Sequence, residues 1–201
     1  MTNVSKPYKI IAMWQFPYKP EVAVNALLYL CQKAGESGRK LSFMQIAKLL
    51  FYSDKLHLKR YGRPITGDTY IKMEHGPNPS SIYDYLKDVR SRPGLADEFI
   101  RVELEPNTPH APIPYIQPLQ EADWGVFSDS DREVLDEIFA QYGDKTGTQL
   151  RDLSHGEKAW KEAEMEMAYE DFLDSEDEPM ARYIQETQEA WAGLESFQKS
   201  R

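Results

Sequence analysis

Cysteine is almost absent: one residue, Cys31, in a chain of 201. No internal disulfide can form, which excludes a cysteine-stapled secreted scaffold and fits a reducing compartment. Long apolar runs are missing as well. None approaches the roughly 20 residues needed to span a bilayer, and "IIAMWQF" after a polar start is too short for a secretory leader. The four histidines, His57, His75, His110 and His155, show no HExxH or HxH spacing, and no cysteine pair joins them, so no metal is expected. The signatures GxSxG, GxGxxG after a strand and GxxxxGK before Ser or Thr are absent too. The expectation is a cytoplasmic protein of bacterial type with no cofactor and no assigned catalytic residue.

Positive charge is scarce only in the second half. Residues 1–92 carry 15 Lys/Arg against 7 Asp/Glu, and residues 93–201 carry 9 against 26. This bipolar pattern serves either internal ion pairs or an acidic face that meets a basic partner. The basic residues of the first half are scattered and no recognition-helix signature accompanies them, so no direct nucleic-acid partner is expected. No membrane partner is expected either.

The length suits one domain with a sizeable core and an appendage. Pro20 to Gly35 reads as a helix, with Cys31 as a small core residue. A second helix, capped by Ser42 and stopped by Gly62 and Pro64, holds "LSFMQIAKLLFYSDKLHLKRYG". A third begins at "NPSSIYDYLKDVR", with Asn78 as its cap and Pro79 in its first turn. "EFIRVELE" and "PIPYIQPL" read as an irregular hairpin, and the prolines make the second run an edge strand. "SDSDREVLDEIFAQYG" is an amphipathic helix with an acidic first turn. A short helix and turn, "GTQLRDLSHGEKAW", an acidic run from Glu157 to Glu178 and a last helix after Pro179 complete the chain.

On the second helix Lys48, Lys55 and Lys59 form one narrow stripe, and the rest is nearly all apolar. Asp54 and His57 fall on the opposite side, so they need partners in the interior. Spaced i, i+3, they can reach each other or a shared group. The nearest supply is "RYGRPITGDTYIKMEHGPNPSSIYDYL", where three glycines and three prolines frame Arg63, Thr66, Asp68, Tyr70 and His75. Glycine permits left-handed turns and proline pre-sets φ, so this segment reads as a fold-over that satisfies the helix's buried polar side. The pair also fits general-base or metal chemistry; the structural reading is preferred. An anion at "GPNPSS" is disfavoured because Pro77 and Pro79 remove two donors.

Three motifs carry a family resemblance. Lys48 to Asp54, "KLLFYSD", is followed by His57; "GRPITGDTYIKMEHGP" supplies a turn, a strand and His75-Gly76-Pro77; "DLSHGEKAW" spans Asp152 to Trp160. Together they resemble the SocA-like Panacea domain, an antitoxin domain of bacteria and phages. The resemblance implies a mainly α (α+β) fold, helical with a small antiparallel β element. It also implies an antitoxin that neutralises a cognate toxin by direct binding. One alternative within the family is an adaptor that delivers its toxin to an ATP-dependent protease. An enzyme built on the Asp/His cluster is the further alternative.

The layout expected is an N-terminal arm (1–19), a Panacea-type domain (20–161) and an acidic helical C-terminal extension (162–201). Asp54, His57, Arg63, Asp68, Tyr70, His75, Gly76 and Pro77 form the structural motif core. Tyr169, Phe172, Tyr183, Trp191 and Phe197 are candidate partner anchors, since aromatics dominate such contacts. Packing of the last helices onto the domain is the competing role for them.

Overall fold

Helical periodicity and capping set most of the framework. The computed structural model describes residues 14–199, with side chains to residue 194; Phe197 and residues 1–13 of the arm lie outside. Helix α1 (Pro20–Gly35) starts on its proline, and Cys31 is buried in its core face. A two-residue strand, β1 (Leu41–Ser42), leads into α2 (Phe43–Tyr61). Ser42 and Gln45 form a capping box at the start of α2, and Gly62 ends it at φ 70°. Ile46, Leu49, Leu50, Phe51 and Leu58 of α2 are fully buried, so this helix is the axis of the core.

The glycine- and proline-rich segment then folds back as a hairpin, β2 (Tyr70–Met73) with β3 (Gly76–Pro79). Next come α3 (Ser80–Ser91) and a longer hairpin, β4 (Ile100–Asn107) with β5 (His110–Pro118). Helices α4 (Asp129–Tyr142), α5 (Gly147–Ser154) and α6 (Lys158–Glu162) follow, then a short 3₁₀ turn (Tyr169–Phe172) and α7 (Glu178–Lys199). The fold is mainly helical, with two small antiparallel sheets among the described residues.

Two local expectations are corrected. Strand β5 is the centre of its sheet, in the order β1-β5-β4, and not its edge. Strand β1 pairs only Tyr115 and Ile116, so Pro112, Pro114 and Pro118 all lie outside that short pairing and break no bond to it. Asn78 does not cap α3. It pairs with Ile71 inside the β2–β3 hairpin, and α3 starts two residues later.

The C-terminal segment belongs to the same core. The backbones of Met165 and Met167 bond to Lys72 and Tyr70 along the outer side of β2. Phe172 packs edge-on against Phe51 at 5.1 Å and Tyr70 at 5.6 Å between ring centres. At the other end of the chain, Trp14 is buried and its indole N–H donates to Gln185 of α7 at 2.9 Å.

Much of the charge asymmetry closes on itself. Along α2, Lys55 pairs with Glu157, Lys59 with Asp177 (3.0 Å) and Asp174 (3.3 Å), and Arg60 with Glu137 through both of its terminal nitrogens. Lys55 and Lys59 of the basic stripe, with Arg60, are thereby clasped by acids of the second half.

Candidate functional site

The buried polar residues of α2 make three separate clusters. In the first, the fully buried Asp54 carboxylate accepts four hydrogen bonds. Oδ1 takes the backbone N–H groups of Ile65 and Thr66, both at 2.8 Å. Oδ2 takes the Thr66 hydroxyl at 2.5 Å and the Tyr70 phenol at 2.9 Å. Burial pushes this carboxyl up to about 6, against the pull of the bonds from Thr66, Tyr70 and Ile65.

In the second, His57 is also fully buried. Its Nδ1 lies 2.7 Å from the Arg63 carbonyl and so carries the donated proton. Its Nε2 faces the Ser130 hydroxyl at 3.0 Å and Asp131 at 3.2 Å. Arg63 reaches the same Asp131 oxygen at 3.0 Å. Burial would raise the Asp131 carboxyl, but bonds from His57 and Ser128 and the Arg63 charge hold it well below the usual carboxylate range. Asp54 and His57 therefore take separate partners, although their spacing allowed a shared one. Each fastens one end of the fold-over, and neither opens onto the groove described below.

Asp68 has a role that the sequence reading gave to Asn78. Its carboxylate accepts from the Ser81 and Ile82 N–H groups at 2.9 and 3.0 Å, which caps α3 from a distance of thirteen residues in sequence. Its carbonyl accepts from the Tyr169 hydroxyl at 2.8 Å. The signal available was the preference of Asp for free helix N–H groups; the sequence did not show that the hairpin carries Asp68 to that helix end.

The third cluster was not foreseen. Lys48, read as part of the exposed stripe, is only 2% exposed. Its ammonium donates to the Pro77 carbonyl at 2.5 Å, and burial pulls it down to about 7. No carboxylate lies within ion-pair distance of it among the described residues. Gly76, at φ 91°, passes so close that a side chain there would strike Lys48 and Ser154. His75 beside it is exposed on the hairpin turn. The nearby "DLSHGEKAW" element stacks His155 on Trp160 with 4.0 Å between ring centres. The Trp160 indole donates to the Met73 carbonyl at 3.2 Å, which braces the same turn.

The family model described as antitoxin SocA-like, Panacea domain, matches residues 46–161. The chain belongs to this family. No curated protein and no solved structure matches it. The matched Panacea segment begins in the first turn of α2 and contains the whole fold-over, all three clusters and the Trp160 brace.

Among the described residues, no helix is long and apolar enough to cross a membrane, and no group of three or more His, Cys, Asp or Glu is placed to hold a metal ion. Of the candidate anchors, Tyr169 and Phe172 are core residues, which corrects their assignment to a partner surface. They hold the C-terminal segment to the Panacea core because their rings meet Tyr70 and Phe51. Tyr183 and Trp191 are 57% and 64% exposed on α7, and with Leu194, 55% exposed, they border a shallow depression on one side of that helix.

Lys48→Met is expected to raise the stability of the Panacea fold at pH 7 by about 1–4 kcal/mol, because it removes a buried charge that has no counter-charge. The folded amine, at about 7, lies below its ordinary 10.5. Its contribution is therefore fully present above 10.5 and is lost as pH falls through about 7. In urea titrations the advantage of the variant should shrink as pH rises from about 7 towards 10. A variant less stable than the wild type at every pH would contradict this.

Proposed function

We propose that this Panacea protein is an antitoxin that binds a cognate toxin directly in the cytoplasm of its host and masks the toxin's working surface. The family membership supports the antitoxin role. The observation that carries the binding mode is the exposed stripe of Tyr183, Trp191 and Leu194 along α7, with Glu186 on its border. Tyr183 rests one edge of its ring on Gly62 at the end of α2 and leaves the rest in water, beside the exposed Trp191; large exposed aromatics are the residue types that dominate protein interfaces. The acidic flank adds speed and selectivity towards a basic surface, such as the site of a toxin that handles RNA or nucleotides. The buried, saturated Asp54 and His57 serve to hold this scaffold rigid.

The test is co-expression with the product of the adjacent reading frame, chosen because that product alone stops growth. The wild-type chain is expected to restore growth and to co-purify with it. Trp191→Glu with Leu194→Glu should weaken the complex about 30-fold or more while leaving the melting temperature in place. A wild-type chain that neither protects nor co-purifies would overturn the antitoxin reading. A double variant that protects fully would remove α7 from it.

A further inference from the structure

On the side of the molecule where Lys48 is buried lies a trough of about 1160 Å³. It is walled by the start of α2, the Met73–Gly76 turn, Tyr83 and Arg90 of α3, the tip of the β4–β5 hairpin and the Asp144–Thr148 segment that begins α5. Five cations line it, Arg39, Lys40, Lys48, Arg90 and Lys145, against the carboxylates Glu74, Glu105 and Asp144. Lys40 is engaged by Glu103 and Glu105, and Arg39 donates to the Gly143 carbonyl. Lys48, Arg90 and Lys145 have no carboxylate partner among the described residues. In a chain of net charge −9, a trough with surplus cations is the reverse of the overall field.

Between those charges the walls are apolar, with Phe43, Met44, Met73, Tyr83 and Ile113. We infer that this trough is the binding site for an extended acidic segment of a partner protein, one in which carboxylates alternate with apolar side chains. Three features favour that occupant. The volume exceeds the roughly 300–1,000 Å³ usual for small-molecule pockets. The interspersed Glu74 and Asp144 oppose a uniformly charged phosphate backbone, but they can fall between the spaced carboxylates of a peptide. Pro112 and Pro114 deny N–H donors along the β5 wall, so recognition runs through side-chain charges and apolar contacts and not through added-strand pairing. This surface is separate from the α7 stripe and opposite to it in charge preference. The inference stands or falls independently of the toxin.

The measurement is fluorescence anisotropy at low salt with the full chain. The probes are a labelled short peptide alternating glutamate with leucine and phenylalanine, its lysine counterpart, and a labelled oligouridylate. The wild type is expected to bind the acidic peptide at least about ten-fold tighter than either of the others. Arg90→Glu with Lys145→Glu should abolish that preference. The Arg90/Lys145 variant should keep the wild-type melting temperature, so that loss of binding is not loss of fold. Equal binding of the two peptides, tighter binding of the oligouridylate, or an unchanged preference in the Arg90/Lys145 variant would overturn the inference.

Discussion

Asp54→Ala is expected to destabilise the protein by about 3–5 kcal/mol at pH 7, read as a lower urea midpoint. Four donors converge on this fully buried carboxylate: two backbone N–H groups, a hydroxyl and a phenol. Alanine leaves all of them without an acceptor among the buried side chains of Phe51, Ile65 and Tyr70. Asp54→Asn should be milder, about 1–2 kcal/mol. Its remaining oxygen still serves the Ile65 and Thr66 amides, and the Thr66 and Tyr70 hydroxyls can turn to accept from its NH₂.

The same pair separates structure from chemistry. A general base would lose its function in both variants with little change in stability. A structural acceptor ranks them by the number of orphaned donors. The pH dependence adds a second signature. With its carboxyl raised to about 6 from an ordinary 3.8, Asp54 contributes stability that is fully present below 3.8 and lost as pH rises through about 6. The asparagine variant should lack that slope. Equal destabilisation by Ala and Asn, with an unchanged pH profile, would count against this account of the site.

What the sequence made legible follows the range of each interaction. The burial of Asp54 and His57 could be read from helical periodicity alone, because i, i+3 and i, i+4 geometry is local. The need for a fold-over could be read from Gly62, Gly67 and Gly76, which do adopt positive φ at 70°, 66° and 91°. Partner identity was less accessible. Thr66 and Tyr70 lie within sixteen residues of Asp54 and were in view; Ser130 and Asp131, more than seventy residues from His57, were not. Lys48 misled because a lysine on a stripe with Lys55 and Lys59 reads as solvent-facing. The stripe ends under the hairpin, and only the three-dimensional position of Pro77 and Gly76 encloses its first member. Similarly, prolines in β5 signalled an edge because proline cannot donate, but that rule forbids only the bonds a neighbour needs, and β1 needs two residues.

The second large effect concerns where this fold ends. A chain cut after Lys161, at the limit of the matched Panacea segment, is expected to show no cooperative unfolding transition, whereas a chain cut after Trp191 should melt like the intact protein. The shorter cut removes Met167, Tyr169, Phe172, Leu173 and Ile184, all buried. It strips the outer side of β2 of its backbone partners at Lys72 and Tyr70 and uncovers Phe51 and Tyr70 where Phe172 packed. Truncating one buried aromatic costs about 3–5 kcal/mol, and a whole domain is stable by only about 5–15 kcal/mol, so losing several buried side chains together exceeds what the rest can hold. The ion pairs of Lys59 with Asp174 and Asp177 and of Lys158 with Asp171 disappear with them. Circular dichroism melts of the two truncated chains decide the matter. A normal, cooperative melt from the chain ending at Lys161 would show that residues 165–173 merely rest on the domain. Its absence would mean that a rescue assay with that truncation reports on folding, and that the role of α7 in binding must be tested by surface substitutions that leave Phe172 in place.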